Sequence, residues 1–448
     1  MPEYLDLHHV KRDVMRYLIP QVAIAAQCAG LRVTHSNSEV LGSLSEQVMA
    51  GSSAVWDLIV APRLAETLAA AVALHDEVSE CVRESAIVRP AVGDPHGGGR
   101  TATEITTEHG VQYFKPNRVS KRQLLEDFTN VTNLSECFVA PSDRCWSDGY
   151  VQDGIDFSIS PVDREEFWFR AGQFAAGAEM LSITDLHYEN IATTGGKVAV
   201  IDDETVLTTA LALRPRSILT TLLLQDPAQA RIGVVAGLMA DHTTGMSRNF
   251  PRITEPTDGG ELSVGFIGES RRSPTAIGAR YGSICAHEDS FIDGLRSGYD
   301  HIRAHRTAAV EVIASHARSL RSRVIVDATA NYRRLSAMVA TSPPDITIAD
   351  LEDRLAGELH AIGRPYVTDA VIRSEARQLA AGDVPMFMID TASERVRDQW
   401  SPVAKVVRSP AAVSISAITG LGPDHVGRQC VMAREYIGRL RRMRQEGQ

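Results

Sequence analysis

Three short segments of this sequence combine residue types that suit phosphoryl transfer. The first is the glycine-rich run GDPHGGGR from Gly93 to Arg100, which is followed by Lys115. Glycines let backbone N–H groups approach phosphate oxygens closely, and a lysine on the second strand after such a loop can pair with nucleotide phosphates. Taken alone, this segment is also typical of a surface turn before a hairpin.

The second and third segments carry acids and an asparagine. DLHYEN runs from Asp185 to Asn190, and KVAVIDDET ends a predicted strand in Asp202, Asp203 and Glu204. Kinase loops place a hydroxyl-activating aspartate shortly before a metal-binding asparagine, and Mg²⁺ prefers such hard oxygen ligands. Each segment alone also fits a capped loop or a solvated acidic turn. Their order and spacing together favour phosphoryl transfer.

Elements on both sides of these segments have recognisable patterns. Residues 1–90 are rich in Ala, Leu and Glu at helical spacing, and 100–116 has the pattern of a hairpin. We predict an irregular connection over 140–162 and a mostly helical region over 205–448. A helix is predicted from Pro161, because apolar residues recur there at spacings of four and three: Phe167, Ala171, Phe174, Ala178 and Leu181.

Composition indicates a folded protein with a sizeable core. The 448 residues are 44% hydrophobic and 23% charged, with a net charge of -10, which argues against general nucleic-acid binding. The charged start lacks a signal-peptide pattern and no apolar run is long enough for a membrane span. The six scattered cysteines fit reduced thiols. We therefore expect a cytoplasmic protein with no membrane or nucleic-acid partner.

The motifs resemble those of the dehydratase domain of class II lanthipeptide synthetases, the LanM-type enzymes. The family segments GDxHxxGR, YKPR, DxHxEN and DxE correspond here to GDPHGGGR, YFKPN, DLHYEN and DDE. Two later family segments, RxxxRxTxxY and GDIPxF, correspond to RVIVDATANY from Arg323 to Tyr332 and GDVPMF from Gly382 to Phe387. The resemblance runs over about residues 91–390, and several motifs in order make it specific.

The resemblance implies ATP- and magnesium-dependent phosphorylation of Ser and Thr in a precursor peptide, followed by elimination of the phosphate. It also implies an α+β, lipid-kinase-like bilobal fold: a helical region at 1–90, a small sheet-bearing nucleotide lobe at 91–160, and a larger, mostly helical lobe at 161–448.

Individual roles carried over by the resemblance fall into three groups. Lys115 would bind ATP phosphates, Asp185 would activate the hydroxyl, and Asn190 and Asp202 would hold Mg²⁺. Arg323 and Thr329 match positions tied to elimination, and a guanidinium fork suits a leaving phosphate. Four further residues match positions needed for activity, with the alternative that the histidines only hold the loops by hydrogen bonds: Asp94, His96, His187 and Glu204.

Departures from the family pattern keep two alternatives open. Asp327 stands where the family often has a second arginine, and an anion there would repel a leaving phosphate. A peptide kinase that stops at the phosphoester is therefore one alternative. No zinc-cyclase region follows and the N-terminal region is short, so we expect a separate cyclase or leader-binding partner. A non-catalytic precursor-binding role is the second alternative.

Overall fold

The computed structural model describes most of the chain from residue 100 onward. The described ranges are 56–62, 87–89, 100–116, 119–146, 149–155, 163–211, 216–226, 235–239, 246–254, 263–271, 277–340 and 346–446, with a few isolated residues such as His96. Of the helical region predicted for 1–90, a helical turn at Trp56–Val60 and a strand, β1, at Ile87–Arg89 lie within the main described ranges. The rest of that prediction falls almost wholly outside the described residues.

An antiparallel sheet of five strands follows the glycine-rich segment. Its strands are β1, β2 (Thr103–Thr107), β3 (Gly110–Pro116), β5 (Asp143–Trp146) and β6 (Gly149–Asp153), in the order β1-β2-β3-β6-β5. The predicted hairpin is confirmed as β2 and β3. The irregular connection predicted over 140–162 is wrong where β5 and β6 pair, and residues 156–162 of that prediction lie outside the described ranges. Tyr150 and Val151 are almost fully buried, and this burial outweighs the turn-forming residues around them.

Most of the helices share one hydrophobic core. They are α1 (Arg122–Val131), α2 (Arg164–Met180), α3 (Ile277–Tyr281), α4 (Glu288–Ala304), α5 (Arg306–His316), α9 (Pro410–Thr419) and α10 (Pro423–Glu446). The predicted apolar stripe of α2 is confirmed as buried. α2 and α4 approach so closely that a Cβ on Gly172 would lie 2.1 Å from the Phe291 carbonyl oxygen, and one on Gly294 would lie 1.9 Å from that of Phe169. Side chains at either position would force the helices apart.

A second core lies between a four-stranded antiparallel sheet and three helices. The strands are β11 (Arg321–Val324), β12 (Phe387–Asp390), β13 (Arg395–Arg397) and β14 (Pro402–Lys405), and the helices are α6 (Thr329–Ala340), α7 (Ile348–Ala361) and α8 (Asp369–Ala380). The prediction of a mostly helical region from 205 onward missed this sheet. Strands of three or four residues are too short to display an alternating pattern.

Two smaller sheets and two short 3-10 helices, Ile218–Thr221 and Ile284–Ala286, are also described. β4 (Phe138–Val139) pairs in parallel with β8 (Lys197–Val200), which forms a hairpin with β7 (Ile191–Thr194). β9 (Met246–Thr254) and β10 (Ser263–Arg271) form a separate hairpin. The predicted α+β class is therefore confirmed. None of the helices in the described ranges combines the length and apolar character that crossing a bilayer requires.

Candidate active site

The loop from Asp185 to Asn190 follows α2 and is held at both ends. Asp185 has a φ of 58°, a left-handed conformation that is uncommon outside glycine. The Asn190 side-chain Nδ2 donates to the Asp185 carbonyl at 2.9 Å and to its carboxylate Oδ2 at 3.3 Å. Between them Leu186 is fully buried. These contacts fix the aspartate in an unusual conformation, which is common at functional sites.

The Asp185 carboxylate interacts electrostatically with four of the other predicted site residues. Burial raises its pKa from 3.8 to about 6; His187 and Arg323 oppose the rise, while Glu204 and Asp202 add to it. Each of these four groups must therefore lie within electrostatic range of Asp185. A carboxyl group with a pKa near neutrality can accept and release a proton under ordinary conditions.

The acidic turn, Asp202 to Glu204, follows β8 and is hydrogen-bonded directly to the loop from Asp185 to Asn190. The Asn190 carbonyl accepts from the backbone N–H of Ile201 at 2.9 Å and of Asp202 at 3.4 Å. The carboxylates of Asp202, Asp203 and Glu204 each contact a different set of residues. Because each carboxylate has its own partners, the turn joins regions that are distant in the sequence.

Lys115 is the partner on the side of the five-stranded sheet. Its side chain is almost fully buried, and Nζ donates to the Ile201 carbonyl at 2.5 Å. The same nitrogen lies 3.9 Å from Oδ1 of Asp202, whose side chain is 23% exposed. The predicted phosphate-binding lysine and the predicted magnesium ligand are thus neighbours.

Arg323 is the partner on the side of the second core. Its Nη1 lies 2.5 Å from Oε1 of Glu204, and both side chains are largely buried. The Arg323 backbone N–H donates to the Glu204 carbonyl at 2.8 Å, and its carbonyl accepts from the Thr208 hydroxyl. Arg323 therefore joins the acidic turn through both its side chain and its backbone.

The two predicted histidines have hydrogen-bonding roles in the described structure. Nδ1 of His96 lies 2.8 Å from the Val384 carbonyl, 288 positions away, so this nitrogen carries the proton and donates. His96 and Arg100 also exchange two backbone hydrogen bonds. Nδ1 of His187 accepts from the Glu189 backbone N–H at 3.2 Å. The glycine-rich segment and the GDVPMF segment are therefore in contact, as two parts of one region.

The remaining predicted positions are Asp94, Thr329 and Asp327. Asp94 lies outside the described residues. Thr329 is the first residue of α6, two positions after Asp327. The Asp327 carboxylate accepts from the Ala328 backbone N–H at 2.8 Å and the Asn331 side chain at 2.7 Å, and lies 3.4 Å from Nη1 of Arg364. Asp327 thus shares Arg364 with Glu375, which forms two shorter hydrogen bonds to the same guanidinium.

Comparison with known proteins shows the family. Residues 40–390, more than half of the chain, match the family described as "Domain of unknown function (DUF4135)". The chain belongs to this family. No curated protein matches it. The matched region of this DUF4135 protein contains every predicted site residue from Asp94 to Thr329, so the sites described above belong to the family domain.

The sequence predicts two magnesium ligands in this DUF4135 protein, Asn190 and Asp202. Within the described part of the chain, no three His, Cys, Asp or Glu side chains are grouped as they would be in a protein-only metal site. Asn190 and Asp202 instead form a two-residue set. Mg²⁺ commonly takes one or two protein ligands and obtains its other oxygens from phosphates and water.

Sequence reasoning missed two residues that contact the segments described above. Tyr150 donates to Asp203 at 2.5 Å, and Arg364 contacts Asp327. Tyr150 falls in the stretch predicted as a loop, so its strand position was hidden. The two adjacent acids, Asp202 and Asp203, were the sequence signal for a missed partner. If the second carboxylate is buried, it must have hydrogen-bond partners of its own.

Proposed function

We propose that this DUF4135 protein uses ATP to phosphorylate Ser and Thr hydroxyls in a precursor peptide and then eliminates the phosphate, leaving dehydroamino acids. The proposal rests on the motif resemblance to LanM-type dehydratase domains and on one observation. That observation is the acidic turn, where Asp202 faces Lys115 and Glu204 pairs with Arg323. The turn therefore connects the residues proposed for phosphorylation with those proposed for elimination.

In the first half-reaction, Asp185 would accept the proton of the substrate hydroxyl as the hydroxyl oxygen attacks the terminal phosphorus of ATP and displaces ADP. The raised pKa of Asp185, about 6 through burial, suits a proton acceptor. Lys115 would bind the nucleotide phosphates from the neighbouring strand. The five-stranded sheet would then be the nucleotide lobe of a lipid-kinase-like arrangement.

The donor set at the turn fits a magnesium ion. The hydrogen bonds of the Asn190 side chain to Asp185 are made by Nδ2, so the amide oxygen is the atom that would bind a cation. Asp202 adds a partly exposed carboxylate beside Lys115. Both are hard oxygen donors of the kind that Mg²⁺ prefers. When bound, Mg²⁺ would neutralise charge on the nucleotide phosphates.

In the second half-reaction, a base would remove the α-proton, the Cα–H electron pair would form the Cα–Cβ double bond, and the phosphoester C–O bond would break to release phosphate. The Arg323 guanidinium would stabilise the departing phosphate by charge-assisted hydrogen bonds. Its position within electrostatic range of Asp185 supports a single active site for both halves. Thr329, at the start of α6, is proposed for the same half-reaction on the resemblance alone.

The geometry around Asp327 bears on the alternative of a kinase without elimination. That alternative was based on Asp327, an anion at a position where the family often has an arginine. Arg364 lies 3.4 Å from Asp327 but makes its two shortest contacts with Glu375, so these three groups together keep a net negative charge. The kinase that stops at the phosphoester therefore stays the second candidate, and complete dehydration is proposed on the motif resemblance and on the position of Arg323.

Intact-peptide mass spectrometry tests the proposal. The protein is incubated with ATP, Mg²⁺ and a Ser/Thr-rich precursor peptide encoded beside its gene. We expect the mass to fall by one water for each modified residue. Asp185→Asn should abolish the change, whereas Asp293→Asn, on the exposed face of α4, should behave as the wild type.

Other outcomes of this experiment separate the alternatives. Accumulated phosphate adducts without loss of water would favour the kinase that stops at the phosphoester. An unchanged peptide mass together with tight peptide binding would favour the non-catalytic role and contradict the proposal.

A further inference from the structure

Four residues at the junction of the five-stranded sheet and the acidic turn form a closed ring of contacts. Lys115 on β3 and Tyr150 on β6 are directly opposite each other in the antiparallel register. Nζ of Lys115 lies 5.8 Å from the centroid of the Tyr150 ring. The Tyr150 hydroxyl donates to Oδ1 of Asp203 at 2.5 Å. Oδ1 of Asp202, the residue before Asp203, lies 3.9 Å from Nζ of Lys115 and closes the ring.

The Asp203 carboxylate also anchors the start of α1. Its Oδ2 accepts from the backbone N–H of Lys121 at 2.8 Å, so both of its oxygens have donors. Asp203 is only 5% exposed and Tyr150 only 1%. A buried carboxylate with two fixed donors cannot rotate without losing a charge-assisted hydrogen bond. The turn is therefore held to β6 and to α1 at one point.

From this ring we propose that Tyr150 and Asp203 are positioning residues for the phosphorylation half-reaction, an inference that rests on the proposed function. They hold Asp202 against Lys115 and so fix the distance between the residues assigned to magnesium and to phosphate. Neither residue is required to touch the substrate. Their role differs from that of Glu204, whose position is fixed separately by the side chain and backbone of Arg323.

Because these two sets of contacts are separate, a substitution at Tyr150 should affect phosphorylation and elimination differently. Loss of the Tyr150 hydroxyl should loosen Asp202 and Lys115, while the Glu204–Arg323 contacts stay in place. A purely structural role for Tyr150 would instead lower both half-reactions together through the amount of folded protein. The two reactions can be measured separately, because elimination can start from a synthetic phosphoserine peptide.

Tyr150→Phe is the central variant, since it removes one hydroxyl and keeps the ring beside Lys115. We expect kcat/KM for phosphorylation, measured by varying ATP, to fall about tenfold, the effect of losing one hydrogen bond to a charged group. Elimination from the phosphoserine peptide should stay within about twofold of the wild type. Asp203→Asn keeps one acceptor oxygen and should have an intermediate effect between Tyr150→Phe and Asp203→Ala.

The matched control is Tyr299→Phe. The Tyr299 hydroxyl donates to the buried carboxylate of Glu179 between α4 and α2, away from the acidic turn. Its removal should cost similar stability and leave phosphorylation unchanged. Equal losses of phosphorylation in Tyr150→Phe and Tyr299→Phe would overturn the inference, as would wild-type phosphorylation in Tyr150→Phe.

Hydrogen–deuterium exchange without nucleotide tests the positioning role independently of activity. Tyr150→Phe should accelerate exchange at the Lys121 amide and across residues 201–206, and Tyr299→Phe should not. If the wild type turns out to modify no peptide, the proposed function fails, but this exchange pattern still decides the positioning role. Unchanged exchange in Tyr150→Phe would refute it.

Discussion

Two buried arginine–glutamate pairs lie in neighbouring regions of this protein and differ in how they are held. Arg323 and Glu204 are joined by one side-chain contact of 2.5 Å across 119 positions. Arg364 and Glu375 lie 11 positions apart and form two hydrogen bonds, of 2.7 and 2.6 Å. The same pair of residue types thus connects two regions in one case and stabilises one region in the other.

The surroundings of the two pairs explain the difference. Glu375 also accepts from the Tyr332 hydroxyl at 2.5 Å, and Arg364 reaches Asp327, so the second pair ties together α6, α8 and the residues before them. Arg323 instead lies within electrostatic range of Asp185. A bidentate pair with further local partners is typical of structural networks, whereas a pair beside a carboxyl of raised pKa is typical of an active site.

The largest effect is expected from Glu375→Gln. It leaves the buried Arg364 without its main counter-charge, and breaking a buried pair on one side typically costs 3–5 kcal/mol, so we expect the free energy of unfolding to fall by about 3 kcal/mol. Urea denaturation measures this loss. The protein that remains folded should phosphorylate peptide at the wild-type rate, and a specific loss of activity would contradict the distinction between the pairs.

Arg323→Lys should have the opposite profile. Lysine keeps the charge but loses the planar fork, so elimination should slow by roughly a hundredfold while phosphorylation continues. Mass spectrometry would then detect accumulated phosphopeptide. Arg364→Lys is the matched control and should lower stability with little effect on elimination by the folded fraction. Equal elimination rates in the two variants would remove the functional difference between the arginines.

Asp185→Asn should stabilise the metal-free protein although it abolishes activity. Burial raises the Asp185 pKa from 3.8 to about 6 in the folded state, so the ionised carboxylate costs stability above about pH 6. This cost falls as pH decreases through 6 and is absent below 3.8. We therefore expect a gain of roughly 1–2 kcal/mol above about pH 7 that disappears in acid.

Urea denaturation in a chelating buffer across this pH range measures the effect. Asp293→Asn, on the exposed face of α4, should give no comparable gain. A gain that persists in acid would mean that the stabilisation does not come from the carboxylate charge.

The smallest effect is expected from Asp327→Asn. Asparagine can still accept from the Ala328 N–H at the start of α6, so stability should fall by about 1 kcal/mol or less as the charge opposite Arg364 is lost. Elimination should remain within about twofold of the wild type, as measured with a phosphoserine peptide. A large increase would instead show that the Asp327 charge does repel the leaving phosphate.

The acidic turn shows which features of the site residue patterns can predict and which they cannot. Its three acids were visible as a cluster after an apolar strand, and the hairpin carrying Lys115 followed from its alternation and turn residues. Alternation and spacing are properties of neighbouring residues, so they can be read along the chain. Which acid faces which partner could not be read in this way, because Lys115, Tyr150 and Arg323 lie 87, 53 and 119 positions from Asp202, Asp203 and Glu204.

The β5–β6 strands and the sheet of β11 to β14 mark the limit for the fold. Their residues form short strands in surroundings rich in Ser, Asp, Gly and Pro, and local preference favoured a loop or helix. Pairing with distant strands and burial of residues such as Tyr150 and Phe387 override that preference, since β structure is stabilised by packing against its neighbours.

The sequence by itself determined the mixed fold class, the long buried helix α2 and the residue types available for phosphoryl transfer. These depend on local spacing and on the composition of short segments. Only the tertiary structure decided that Asp203 anchors the acidic turn to Tyr150, that Arg364 lies between Glu375 and Asp327, and that Asp185 has a raised pKa. Burial and charge neighbours arise from long-range packing, which brings together side chains that no local pattern connects.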